Sequence, residues 1–69
     1  MEIIVTTHAK ERMLERAVPL KDVESTIENP EVLKSLGENK YKAVKIINRK
    51  RVKVIYVVED NKIIVLTVA

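Results

Sequence analysis

Hydrophobic and polar positions change their period along the chain, and the changes mark its elements. Glu2-Ile3-Ile4-Val5-Thr6 is short and β-branched, which predicts a first strand, either at a sheet edge or simply pinning the N-terminus. Thr7 is the expected N-cap of a first helix, because its hydroxyl can accept a backbone N–H of the first turn; His8 then takes the first helical position. Ala9, Met13 and Ala17 follow at roughly 100°, 140° and 180° around that helix, the side expected to pack on the rest of the fold. Lys10 falls beside Met13 and Leu14, so the helix is not cleanly amphipathic. Val18-Pro19 breaks the pattern, and Pro19 is well placed to begin a second helix. Leu20, Val23 and Ile27 form one apolar ridge on it; Asn29 can close it and Pro30 prevents its continuation.

From Glu31 onward the pattern reads as sheet. Glu31 to Leu36 predicts a short strand that stops at Gly37, the only glycine. Lys40 to Ile47 alternates, with Lys42, Val44 and Ile46 on one face and Tyr41, Ala43, Lys45 and Ile47 on the other. Asn48-Arg49-Lys50 predicts a basic turn, after which Val52, Val54, Tyr56 and Val58 alternate with Lys53, Ile55 and Val57. Asp60-Asn61 suits a tight hairpin, since both residues tolerate positive φ. Ile63 to Val68 is apolar on both faces and belongs inside the sheet. The expected fold class is α+β: one domain over residues 1–69, two N-terminal helices packed on a four-stranded antiparallel sheet, with the short N-terminal strand as a further element.

Size and composition narrow this picture. At 69 residues a core supplies a stability on the order of 3–5 kcal/mol. The chain has no cysteine and a single histidine, which leaves no disulfide, thiolate zinc site or multi-histidine metal cluster to reinforce it. No cofactor is expected. Dense aliphatic packing or self-association is the remaining source of stability. One third of the residues are charged and glutamine is absent, a balance that favours a heat-adapted source. No N-terminal run resembles a signal peptide and no apolar stretch approaches about 18 residues. A soluble, cytoplasmic protein without a membrane partner is expected.

Charge adds a candidate surface. Net charge is only +3, but no acidic residue lies between Glu38 and Glu59, while Lys40, Lys42, Lys45, Arg49, Lys50, Arg51 and Lys53 do. Such a block is the footprint of a phosphate-binding surface, and Lys42, Lys45, Arg49, Lys50, Arg51 and Lys53 are the candidate RNA-binding residues. The competing reading is a strand pair whose lysines keep its edges soluble. A second candidate lies on the first helix, where His8, Arg12 and Arg16 recur at four-residue spacing and fall at roughly 0°, 40° and 80°, one polar stripe beside the packing side. That stripe could line a cleft, or Glu11 and Glu15 could pair with its arginines on a solvated face.

Joined to this order of elements, the stripe resembles a family of small prokaryotic domains of unknown function. Its members open with an HAxxRMxxR helix, continue through a D/E-V step and an asparagine-proline stop, and close with a VxYVxE…IIVxTV hairpin. The matching pieces here are His8-Ala9-Lys10-Glu11-Arg12-Met13-Leu14-Glu15-Arg16, Asp22-Val23, Asn29-Pro30, Val54-Ile55-Tyr56-Val57-Val58-Glu59 and Ile63-Ile64-Val65-Leu66-Thr67-Val68. Families of this type are similar to the RelE and BrnT toxins, many of which cut RNA without a metal. The resemblance therefore implies a RelE-like fold, an RNA partner and an antitoxin protein. Two features depart from it. Ala17 stands where related sequences have glycine at the helix end, and the chain closes on Thr67-Val68-Ala69, without the tyrosine or histidine that RelE-like nucleases often carry there.

Metal-free RNA cleavage drives the ribose 2′-OH into the adjacent phosphate, and needs a base, an acid and cations for the developing charge. His8 is the candidate proton carrier, and Arg12 and Arg16 the phosphate clamp, together the candidate catalytic residues. Glu11 or Glu15 could orient His8, although a paired surface glutamate is the simpler reading. Tyr41 and Tyr56 could stack on bases, against a core role for Tyr56, and Thr67 is read first as a satisfied hydroxyl. Three readings stay open: a metal-independent ribonuclease or toxin, a non-catalytic RNA-binding module, and a protein-interaction module that dimerises through a sheet edge.

Overall fold

The structure, a computed structural model, describes residues 1–69. Strand β1 (Glu2–Val5) leads into helices α1 (Thr7–Arg16) and α2 (Leu20–Glu28), which are followed by β2 (Val32–Gly37), β3 (Lys40–Ile47), β4 (Lys50–Glu59) and β5 (Lys62–Val68). The sheet has five strands rather than four, in the order β1-β5-β4-β3-β2. After β1 the chain crosses one face of the sheet through both helices. It enters the far edge as β2 and returns by three hairpins until β5 lies beside β1. That path makes the β1–β5 pair parallel while every other pair is antiparallel, so the sheet is mixed, not purely antiparallel. The apolar run of β5 follows from its interior place between β1 and β4.

All three hairpins turn on two residues with positive φ: Glu38-Asn39, Asn48-Arg49 and Asp60-Asn61. Positive φ at both central residues is the type I′ geometry, whose twist matches that of the paired strands. Asn48-Arg49 is thus the whole β3–β4 loop, and Lys50 already belongs to β4.

The core forms between the helices and the sheet face carrying Ala43, Val52, Val54, Tyr56, Val65 and Val68, against which Ala9, Val18, Val23 and Ile27 pack. Helix α1 lies over β5, and α2 over β4 and β3. Thr26 is fully buried, and its hydroxyl donates to the Asp22 carbonyl one turn back at 2.7 Å. The α2 ridge is shorter than expected: Leu20 is exposed, while Val23 and Ile27 are buried.

The helix ends correct three expectations. The N-cap of α1 is Thr6, not Thr7, and His8 therefore occupies the second helical position. Thr6 Oγ1 accepts from the Ala9 amide at 3.1 Å and donates to the carbonyls of Val65 and Leu66, so it ties the helix start to β5 where the β4–β5 register shifts. At the other end Ala17 adopts φ 54°, with its amide bonded to the Leu14 carbonyl and that of Val18 to Met13. This pair of bonds is the Schellman closure, built with alanine where glycine costs least. Ala17 consequently leaves the packing side of the helix and is exposed. Pro19 precedes α2 as its N-cap, in extended backbone.

Candidate nucleic-acid interface

Ala9 and Met13 turn one side of α1 into the core, and that fixes where the stripe points. His8 and Arg16 are exposed, whereas Arg12 is half-buried on the shoulder of the helix. Arg12 Nη1 lies 3.2 Å from Glu15 Oε1, so one edge of the guanidinium is occupied by a surface pair of small energetic consequence. Arg12 Nε is buried and has no hydrogen-bond partner. A buried donor without an acceptor in the protein costs on the order of 1–3 kcal/mol.

The basic residues of β3 and β4 divide between two faces, because side chains alternate across a strand. Lys45 faces the helices and donates to Ser25 Oγ on α2 at 2.9 Å. Lys50 also reaches the helix side, where its ammonium donates to the carbonyls of Arg16 and Ala17, the latter at 2.9 Å. A cation there meets the negative end of the α1 dipole. Lys42, Arg51 and Lys53 are cross-strand partners of Ile55, Ile46 and Val44, on the face that carries no helix. Arg49 stands at the turn itself, with φ 68°. The six cations thus do not make one surface. Arg49 and Lys50 adjoin the C-terminal end of the α1 stripe through the Lys50 bonds, and Lys42, Arg51 and Lys53 lie on the other side of the sheet.

The profile of a domain of unknown function, DUF4258, matches residues 5–69, which takes in both helices and the β2–β5 meander. The chain belongs to the DUF4258 family. Neither a curated protein nor a solved structure gives a significant match.

The concave parts of this DUF4258 domain lie away from the stripe. One apolar depression flanks α1 on its other side, between Lys10, Met13, Leu14 and the Ala17-Val18-Pro19 turn. A second, of ≈ 590 Å³, opens below the end of α2 between Ile3, Ile27, Leu33, Tyr41, Tyr56 and Ile63. His8, Arg12 and Arg16 line neither, so the stripe is an open surface instead of a cleft wall. Tyr41 and Tyr56 are register partners with ring centroids 5.5 Å apart and planes at 28°. Burial, then the neighbouring Tyr41, pushes the Tyr56 phenol above its ordinary value of 10.0. Tyr56 is a core residue and Tyr41 half-buried beside it. Thr67 faces the helix-free side, opposite Ile55. No helix is long and apolar enough to cross a membrane.

Sequence reasoning missed Thr6 and the capping role of Lys50. Thr6 closes the β-branched run of the first strand, and its hydroxyl is chemically the same as that of Thr7, the expected cap. The strand-to-helix corner on β5 decides, and it depends on contacts 59 residues apart. Lys50 meets its carbonyl partners across more than 30 residues, and no local pattern carries that signal.

Proposed function

We propose that this protein binds RNA through the phosphates that meet Arg12 and Arg16 on α1, with Arg49 and Lys50 extending the cationic track from the helix end. The observation that supports this reading best is the placement of Arg12 and Arg16 four residues apart on one side of α1, whose C-terminal end adjoins the Asn48-Arg49 turn through the Lys50 bonds. Guanidinium groups on an open surface pair with phosphate oxygens, and no acidic residue lies between Glu38 and Glu59 to repel a phosphate from the adjoining turn. In the RelE-like and BrnT-like reading the same surface cuts the strand without a metal, as a toxin held in check by an antitoxin protein. His8 takes the proton of the 2′-OH as its oxygen bonds to phosphorus. The P–O5′ bond breaks, and the leaving 5′-oxygen takes up a proton from solvent water at this open surface, giving 2′,3′-cyclic phosphate and 5′-hydroxyl ends.

A second reading is non-catalytic, a protein-interaction domain that pairs with a second copy through an edge strand. Edge strand β2 favours it, with Val32, Leu33 and Leu36 all exposed and its outer backbone row free to pair. An RNA cleavage assay in EDTA separates the two. The ribonuclease reading expects cyclic phosphate ends from the wild type, with at least tenfold less product from His8→Ala and from Arg12→Ala. Equal cleavage by all three would place the activity elsewhere, and no cleavage by the wild type, with or without ribosomes, would leave the non-catalytic readings.

A further inference from the structure

The five-stranded sheet carries both helices on one face, and the other face is bare. Cross-strand partners share a face, so the register defines its composition row by row. One row runs Val32–Val44–Lys53, the next Lys34–Lys42–Ile55–Thr67, and a third Lys40–Val57–Ile64–Ile4. Val32, Ile4 and Ile46 are among the exposed large hydrophobic residues of the molecule. Ile55, Val57 and Ile64 are half-buried, and so are Lys42 and Lys53, as lysines are when their stems cover apolar surface. No acidic residue occurs in these rows. Acids border them at both ends: Glu2 and Glu59 are register partners of Lys62 at the β4–β5 turn end, and Glu31, next to Val32, accepts from the Ile46 amide at 3.4 Å.

The charge pattern points to one occupant. We propose that this face docks an acidic amphipathic helix of a partner protein, its aliphatic stripe on Ile55, Val57 and Ile64 and its flanking carboxylates on Lys34, Lys42 and Lys53. Apolar contact alone would suit a second copy stacked face to face, but that arrangement brings two lysine-bearing faces together. A nucleic acid would satisfy the lysines and leave the aliphatic rows without a partner, because both tyrosines stand on the opposite face and no aromatic ring is available for base stacking. An acidic helix satisfies both components, in the helix-on-sheet packing that the first face already uses. This site is separate from the α1 stripe and does not depend on its reading.

The test is a titration of Ile, Val and Leu methyl-labelled protein with a synthetic helical peptide bearing leucines on one face and glutamates beside them, followed by NMR. Saturable shifts are expected at Ile55, Val57 and Ile64, with Val23 and Val54 unmoved. Binding should weaken at least tenfold in Lys42→Glu/Lys53→Glu, while Lys42→Arg/Lys53→Arg, which preserves charge and stem, binds as the wild type. Absence of binding, or shifts centred on α1 or on β2 alone, overturns the proposal. So does displacement of the peptide from these methyls by an oligouridylate, which would assign the face to nucleic acid. Concentration-dependent shifts of the same methyls without peptide would assign it to a second copy and equally overturn it.

Discussion

Ala17 holds a left-handed backbone at φ 54°, a conformation that costs an L-residue with a Cβ about 1–2 kcal/mol. Glycine would remove that cost and give back part of the gain as unfolded-state entropy. Ala17→Gly is therefore expected to raise stability by about 0.5–1 kcal/mol, read from the midpoint of urea denaturation. Tyr56 supplies a pH signature at the same scale. Its phenol keeps its proton longer in the fold than in the unfolded chain, because burial disfavours the phenolate and Tyr41 adds to the effect. Between the unfolded value near 10.0 and the higher folded one the native state holds more protons than the unfolded state. Stability is thus undiminished below that window and falls as pH rises through it. Urea midpoints from neutral to strongly alkaline pH should show this fall, and Tyr56→Phe should flatten it. An unchanged slope in the variant would assign the alkaline loss to other groups.

Among the elements, α1 depends on both of its ends. Thr6→Ala removes the cap on the Ala9 amide together with the tie to β5, and is expected to cost about 1–2 kcal/mol, whereas Thr6→Ser keeps the hydroxyl and should retain most of the stability. Thermal or urea unfolding of the three proteins checks it. Both helices, the alternation in β3 and β4 and the Asp60-Asn61 turn were legible in the sequence because each is written in local periodicity or in turn chemistry. What escaped depends on distant partners. The partner of β1 is 60 positions away along the chain, so nothing in Glu2–Val5 could announce a parallel pairing with β5 or a fifth strand. The spacing of His8, Arg12 and Arg16 did predict one side of a helix. It could not distinguish an open shoulder from a cleft wall, since the depression beside α1 is made by the inter-helix turn on the other flank. The basic block was visible as composition only. Strand alternation then sent Lys45 to Ser25 and turned Lys42, Arg51 and Lys53 to the opposite face.

At the scale of the molecule, two surfaces with different chemistry lie on opposite sides of one thin sheet. The helix side offers arginines, a histidine and the Asn48-Arg49 turn, which suit phosphates. The bare side offers lysines set among aliphatic rows, which suit an acidic apolar partner. Under the two proposals, RNA and a protein partner would occupy opposite sides of the sheet, and the two interactions should respond differently to salt and to mutation. The most direct measurement is the affinity for a short single-stranded RNA as a function of salt, for the wild type and for Arg12→Ala/Arg16→Ala. The account predicts salt-sensitive binding by the wild type. In the double variant affinity falls and the slope of log affinity against log salt is shallower by about 1.4, the loss of two phosphate contacts at about 0.7 each. A double variant that binds with the affinity and salt slope of the wild type would contradict RNA recognition at the α1 stripe.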